Sequence, residues 1–267
     1  MRPLGHTLSQ GMTAPARESS ILGIGFHDGD VDTLLHHALR GGLVVVPSGP
    51  GLAQDLRRSR AYRRAVTTAD LAIADSGAMV LFWRLFRFRK IRRVSGLRFL
   101  EALLEMEELK DVGRTFWVHP NLEQQQVNEA WLRRNGFQIE AEDSSVAPHY
   151  DREAIEDPAL FESICRQRPA VVVLCIGGGV QEPLGWWLRE QFRGAGLPCP
   201  AIVCTGAAIG FLSGNQVRIP TWADRLFLGW LFRCMTEPRK FLRRYWSAIP
   251  LAWLVLSHGS ALPPLKS

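Results

Sequence analysis

Short apolar runs alternate with helix-period segments along this chain. Apolar runs bounded by Gly or Pro predict buried strands, and apolar residues three or four positions apart predict amphipathic helices. The strands are expected at residues 21–26, 43–47, 71–75, 115–119, 138–141, 170–176 and 201–204. The helices are expected at residues 30–39, 51–65, 78–86, 97–108, 122–135, 151–166 and 181–192, and two or three more are expected after the last strand.

This alternation, with strands that are apolar throughout, predicts an α/β fold. Its sheet is expected to be mostly parallel and covered by helices on both faces. A length of 267 residues suits one large domain or two small ones, with a soft boundary near 109–114. Ligands in such folds collect where strands end, which directs attention to the positions after Val46, Ala74 and Ile176.

The composition limits the classes of partner that this chain could bind but does not identify one. Hydrophobic residues make up 46% and charged residues 22%, which supports a full core and excludes global disorder. A net charge of +6 favours anionic partners such as phosphates, nucleotides, acidic lipid or nucleic acid. Five cysteines without a Cys-x-x-Cys pair indicate a reduced, cytoplasmic protein with neither a zinc site nor a disulfide framework.

The two ends of the chain differ in character. Residues 1–19 are polar, so we expect a flexible N-terminal extension rather than a secretory signal. The apolar run at 248–257 is about half as long as a membrane span, so any membrane contact should be peripheral.

The segment 218–246 is rich in cations and large aromatic side chains. A basic amphipathic segment with Trp and Phe is typical of a helix that lies in a membrane interface. The same arginines could instead grip a diphosphate, or the segment could form ordinary solvated helices. Its cations are Arg218, Arg225, Arg233, Arg239, Lys240, Arg243 and Arg244.

Asp75 ends an apolar run and is followed by Ser76 and Gly77. A carboxylate at the carboxyl end of a strand is well placed to act as a general base or to accept a hydrogen bond from a sugar hydroxyl. The alternative is a structural role as the N-cap of the next helix.

Three glycines, Gly177, Gly178 and Gly179, join a buried strand to a helix. Glycine lets the backbone approach a phosphate, and the helix N-terminus supplies N–H donors. The run matches neither a dinucleotide fingerprint nor a P-loop, so a tight structural turn is the alternative. The histidines are scattered, and no metal-ligand spacing is present.

Taken together, these segments resemble the WecG/TagA/CpsF glycosyltransferases, glycosyltransferase family 26, over residues 20–247. The C-terminal motifs are the most specific part of the match. The matching segments are Val46-Pro47, the Ala-Asp-Leu-x-x-x-Asp run at 69–75, Arg-Val-x-Gly at 93–96, Gln-Glu at 181–182, the glycine-bounded turn at 206–214, Arg-x-Pro-x-Trp at 218–222, the Gly-x-Leu-x-Arg segment at 229–233 and Glu-Pro-Arg-x-x-x-Arg-Arg-Tyr at 237–245.

The resemblance implies a Rossmann-like core at 20–215 and a helical appendage at 216–267 that docks on the membrane and completes the site. It implies an inverting transferase that needs no metal or other cofactor. Such an enzyme moves a sugar, often N-acetylmannosamine or its uronic acid, from a UDP donor to a polyprenyl-diphosphate-linked glycan in teichoic acid, common-antigen or exopolysaccharide synthesis. The location would be the inner face of the cell membrane, and homo-oligomers are known in such families.

The resemblance also assigns roles to residues. Asp75 matches the catalytic base. The predicted substrate-binding residues are Ser48, Ser76, Gly177, Gly178, Gly179, Gln181, Glu182, Arg233, Arg239 and Arg243.

The chain departs from the family pattern at several pocket positions. It has Ser48 where the family has Asn, Ser76 where it has Gly, and Val180 where it has Lys. These changes favour a second hypothesis, a catalytically silent relative that acts as a membrane-docked scaffold in a polysaccharide assembly complex. A third hypothesis, a nucleic-acid-binding protein, has little support because no nucleic-acid module is recognisable and the cations alternate with bulky aromatics.

Overall fold

The structure, a computed structural model, describes residues 17–214 and 248–266. Within them a single eight-stranded sheet has the order β1-β2-β4-β3-β8-β7-β5-β6. Only β1 and β2 pair antiparallel, and all the other neighbours in the sheet are parallel. The strands are β1 (Arg17–Ile21), β2 (Ile24–Asp28), β3 (Gly42–Val45), β4 (Leu71–Ala72), β5 (Thr115–His119), β6 (Ser144–Val146), β7 (Val171–Leu174) and β8 (Ala201–Cys204).

Helices cover both faces of the sheet. They are α1 (Val31–Ala38), α2 (Leu56–Arg58), α3 (Arg60–Thr67), α4 (Gly77–Arg87), α5 (Gly96–Leu104), α6 (Leu122–Arg134), α7 (Pro158–Gln167), α8 (Gln181–Gly194), α9 (Ala208–Leu212) and α10 (Ala248–His258). One face carries α3, α4, α7, α8 and α10, and the other carries α1, α5, α6 and α9. Strands β3, β5, β7 and β8 are therefore buried throughout, which confirms the predicted α/β class and explains their apolar sequences.

The first predicted strand, 21–26, is the turn of a hairpin rather than one strand. Leu22 and Gly23 turn the chain with φ of 53° and 77°. Their N–H groups donate to the carbonyls of Gly259 and Ser260 at 2.8 and 2.9 Å. Strand β1 begins at Arg17, so residues 17–19 of the predicted extension pair in the sheet.

The last described segment belongs to the core, although the sequence analysis grouped it with the appendage. Helix α10 packs on α4 and buries Leu251, Leu254 and Val255. The chain after it is held as well, because Arg63 donates to the carbonyl of Pro263 at 2.6 Å. The described part of 216–267 thus contributes to the fold itself.

Other element boundaries also differ from the prediction. The strand expected at 138–141 is wrong, because the segment that pairs with β5 is Ser144–Val146. The helix expected at 151–166 begins at Pro158, where Asp157 caps it by accepting from Leu160 N at 2.9 Å. The helix expected at 51–65 starts with a π-helical turn, Gly51–Asp55, and is broken at Ser59.

Among the described residues, no helix is both long enough and apolar enough to cross a bilayer.

Candidate active site

The carboxyl ends of the central strands bring the predicted site segments to one edge of the sheet. A Cβ built on Gly49, in the loop after β3, would lie 3.1 Å from Ser76 Oγ after β4. A Cβ on Gly96 would lie 3.2 Å from Val46 Cγ1. The π-helical turn that follows this loop reaches the glycine turn after β7, since a Cβ on Gly179 would lie 3.1 Å from Asp55 Oδ2.

Asp75 is held firmly but stays accessible. Its Oδ1 accepts a hydrogen bond from Gly96 N at 3.1 Å. Arg93 Nε donates to the Asp75 carbonyl at 2.7 Å, and Arg93 Nη2 lies 4.0 Å from Oδ1. The Asp75 side chain is 29% exposed. An oriented, accessible carboxylate is what a general base requires, because it must reach the proton that it removes.

The helix cap at this point is Ser76, so the alternative role considered for Asp75 falls to its neighbour. Ser76 Oγ accepts from Met79 N at 3.3 Å, and the residue is buried. Ser48 has a similar local role, because its Oγ accepts from Gly51 N at 3.4 Å at the start of the π-helical turn. Both serines shape the loops that frame Asp75.

The glycine turn is open at its first two residues and closed at the third. Gly177 and Gly178 are exposed, and a Cβ on Gly177 would meet no other described residue within 4 Å. Gly179 is buried with φ of 82°, a conformation that favours glycine. Its N–H donates to Glu182 Oε2 at 2.8 Å. The backbone of Gly177 and Gly178 is therefore the part of the turn that a ligand can approach.

Gln181 and Glu182 lie beneath this turn and are almost completely buried. Gln181 Oε1 accepts from Gly206 N at 2.7 Å, and its Nε2 donates to the Cys204 carbonyl at 3.4 Å. The amide thereby ties the end of β8 to the start of α8. Together with the bond from Gly179 to Glu182, this shows that the pair supports the turn from below.

The Glu182 carboxyl has a perturbed titration. Burial raises its pKa to about 7, although hydrogen bonds from Gln181 and the Gly179 N–H act in the opposite direction. The charge of Asp55 adds to the increase. Because desolvation disfavours the charged form, this carboxyl is poised to change its protonation state near neutral pH.

Three further residues lie at the glycine turn or at the neighbouring π-helical turn, and the sequence pattern did not predict them. The Asp55 carboxyl is half-buried, and burial raises its pKa against the opposing charges of Arg152 and Arg58. Arg152 Nη1 lies 3.7 Å from the position of a Gly179 Cβ. The Tyr62 hydroxyl is buried with no hydrogen-bond partner among the described residues.

Local sequence gave little sign of these three. Asp55 and Tyr62 are seven residues apart in a segment that was predicted as one helix, a spacing that places both on one face. No comparable signal marks Arg152, which enters from the loop between β6 and α7. This loop is fixed by Glu153, whose Oε2 accepts from Arg60 N at 3.1 Å at the start of α3.

His119 ends β5 and is fully buried, with its Nδ1 3.3 Å from Asn128 Nδ2. Burial lowers its pKa to about 4, so it is neutral at physiological pH. Across the two described stretches, no three His, Cys, Asp or Glu side chains form a group that could hold a metal ion. Arg233, Arg239 and Arg243, the predicted arginines of the appendage, lie outside the described residues.

Comparison with known proteins identifies related sequences. Two curated relatives are named N-acetylglucosaminyldiphosphoundecaprenol N-acetyl-beta-D-mannosaminyltransferase. The one from Bacillus spizizenii (strain ATCC 23059 / NRRL B-14472 / W23) is 23% identical over 220 residues, covering 82% of this chain and 81% of the relative. The one from Bacillus subtilis (strain 168) is 23% identical over 202 residues, covering 76% and 75%.

A family model described as "Glycosyl transferase WecG/TagA/CpsF family" matches residues 19–262, which include every element from β2 to α10. The match spans the loop after β3, Asp75 and the glycine turn as well as the C-terminal arginines. The chain belongs to the WecG/TagA/CpsF family of glycosyl transferases.

Proposed function

We propose that this protein is an inverting glycosyltransferase that moves a hexose of the N-acetylmannosamine type from a UDP-sugar to a polyprenyl-diphosphate-linked glycan. The acceptor class is supported by the names of the two relatives, which describe a diphosphoundecaprenol-linked N-acetylglucosamine. We place the reaction at the inner face of the cell membrane, where the acceptor lipid is anchored and the basic, aromatic segment within 216–247 can reach it.

Asp75 is the residue that we assign as the base. Its carboxylate takes the proton from the acceptor hydroxyl as that oxygen attacks the anomeric carbon of the donor. The bond from the anomeric carbon to the diphosphate oxygen breaks at the same time, and UDP leaves from the opposite side. The single observation that carries this assignment is the anchoring of Asp75 Oδ1 by Gly96 N at 3.1 Å beside a side chain that stays accessible.

Negative charge grows on the departing diphosphate and needs donors and cations. The exposed backbone at Gly177 and Gly178, next to the N-terminus of α8, is suited to phosphate oxygens. Gly179 N is already engaged by Glu182, so we do not assign it to the ligand. Arg152, together with Arg233, Arg239 and Arg243, supplies the charge that this step requires.

The reaction is tested by measuring UDP release from a panel of UDP-sugars. The acceptor is a short-chain polyprenyl-diphosphate N-acetylglucosamine, and each donor is also tested without it. We expect release with one donor only, dependent on the acceptor, and the product should be heavier by one sugar in mass spectrometry. Release that proceeds equally without acceptor would mean hydrolysis rather than transfer.

A second candidate, the silent scaffold, is favoured by one observation. The Gln181 and Glu182 side chains are buried and already hydrogen-bonded to other groups of the protein, and Val180 stands where the family motif carries a cation. Under this hypothesis, UDP binds in calorimetry but no donor in the panel gives release or product.

A further inference from the structure

Two exposed apolar stripes lie on helices that pack against each other. On α4 and its C-cap, Leu81, Leu85 and Phe88 repeat at the i, i+4, i+7 spacing of one helix face. On α10, Ile249, Trp253 and Leu256 repeat at the same spacing. We call these six residues the α4–α10 face.

The apolar side chains of this face are exposed, whereas apolar side chains packed in a core are buried. Phe88 is 89% exposed, Leu85 58% and Trp253 56%. Helix α10 is apolar on all sides, a composition expected of a helix that is covered all round. Leu251, Leu254 and Val255 cover one side against the core, and the described residues leave the other side open. Exposed large apolar side chains that repeat along two packed helices are typical of an interaction site.

The charges beside the face have one sign. Residues 76–100 contain seven cations and no Asp or Glu, and residues 248–267 contain no Asp or Glu either. Arg84, Arg89 and Lys90 are exposed next to Leu85 and Phe88. The partner that suits an apolar strip beside a block of cations is an anionic lipid surface, which offers acyl chains and phosphate headgroups together.

The two helices that carry the face also adjoin the candidate active site. Helix α4 begins directly after Asp75 and Ser76. A Cβ on Gly49, in the loop that frames this carboxylate, would lie 3.9 Å from Leu251 Cδ2 on α10. The other end of the face is fastened as well, because Arg87 Nη2 donates to the carbonyl of Leu256 at 2.9 Å.

We propose that the α4–α10 face docks on an anionic bilayer and thereby presents Asp75 to the membrane surface. All six residues of the face belong to the part of the chain that the structure describes, and none of them is among the residues of 216–247. The docking proposal goes beyond the proposed reaction. Vesicle binding is measured without turnover, so a negative result for docking would not count against the reaction, nor the reverse.

The test is flotation of the full-length chain with vesicles. One vesicle set contains phosphatidylglycerol and phosphatidylethanolamine, and the other contains phosphatidylcholine alone. The variants are Leu85→Ser/Phe88→Ser and Trp253→Ser for the two stripes, and Arg84→Gln/Arg89→Gln for the charge. Leu122→Ser, which changes a residue that is 67% exposed on α6, is the matched control.

We expect the wild type and the control to bind the anionic vesicles and to bind phosphatidylcholine much more weakly. Removing two apolar side chains should lower the partition coefficient by roughly tenfold or more. Each removed arginine should lower it by roughly fivefold, and added salt should weaken this dependence. All the changed residues are exposed, so the midpoint of thermal unfolding should stay close to that of the wild type.

Three results would overturn the proposal. One is wild-type binding by both stripe variants. Another is equal wild-type binding to both vesicle types. The third is a wild-type dimer that the stripe variants split into monomers while vesicle binding is unchanged, which would show that the face contacts a second copy of the chain.

Discussion

Glu182 should make the stability of this protein depend on pH in a way that one substitution removes. Its carboxyl is 2% exposed, and burial raises its pKa from 4.5 to about 7. The folded state therefore holds this proton more tightly than the unfolded state does. The resulting stabilisation is fully present below pH 4.5 and is lost as the pH rises through about 7.

The size of this effect follows from the shift. One pKa unit corresponds to about 1.4 kcal/mol, so ionising Glu182 in the folded protein costs roughly 3 kcal/mol of unfolding free energy. Glu182→Gln keeps an oxygen that can accept from Gly179 N but has no charge to bury. The variant should therefore gain roughly 3 kcal/mol relative to the wild type between about pH 5 and about pH 8.5.

His119 makes the comparison with a variant necessary. Burial lowers its pKa from 6.5 to about 4, so this group destabilises the folded state as the pH falls through that window. The two contributions have opposite slopes between 4.5 and 6.5 and nearly cancel there. The wild-type profile alone would then look flat, whereas the difference between wild type and Glu182→Gln isolates the carboxyl.

The assay is urea unfolding at several pH values, with the m-value checked for constancy. Glu162→Gln, which changes an exposed glutamate on α7, is the matched control for replacing a glutamate with glutamine. A Glu182→Gln difference that does not change with pH would contradict the raised pKa of the buried carboxyl.

Two other substitutions compare the frame of the site with a buried ion pair far from it. Gly179→Ala should destabilise the folded protein by about 1 kcal/mol and lower turnover, because φ is 82° and the new Cβ would lie 3.1 Å from Asp55 Oδ2. Urea unfolding measures the first effect and UDP release measures the second. Asp70→Asn should cost about 2 kcal/mol, since Arg189 is 2% exposed and pairs with Asp70 at 3.2 Å. The turnover of Asp70→Asn should be unchanged, because this pair lies at the edge of the sheet opposite the candidate site. There Asp70 Oδ2 accepts from Leu43 N at 2.8 Å. A large loss of turnover would contradict that placement.

The sequence was sufficient to predict the central sheet, because the strands buried on both faces are apolar throughout. The runs around β3, β7 and β8 could be recognised from composition alone, and the rule that ligands collect at strand ends then located Asp75 and the glycine turn. The helix expected at 30–39 is also present, and its first residue, Asp30, caps α1 because its Oδ1 accepts from Thr33 N at 2.9 Å.

Elements that depend on distant contacts could not be predicted in this way. The turn at Leu22 and Gly23 is apolar because the C-terminal segment covers it, so it lacked the polar residues that usually mark a turn. Strand β6 is polar at Ser144 and is defined by its pairing with Trp117 of β5. The position of Arg152 over Gly179 likewise depends on how a loop folds back over the sheet.

At the site, the main difference from the sequence-based prediction is that Gln181 and Glu182 are buried. A motif shows which side chains recur in a family, but it does not show which way they point. Here both side chains point under the turn and bond to Gly206 and Gly179. We therefore propose that these two side chains act on a ligand through the shape of the glycine turn.

The most direct test of the account is the turnover of Asp75→Asn with the donor that the wild type uses. Asp28→Asn is the matched control, because its carboxylate also accepts a backbone N–H, from Arg92 at 2.9 Å. We predict that Asp75→Asn lowers kcat by roughly 10²–10⁴-fold while UDP affinity and the unfolding midpoint stay near wild type, and that Asp28→Asn changes kcat little. Turnover of Asp75→Asn within about threefold of the wild type would contradict the claim that this carboxylate is the base.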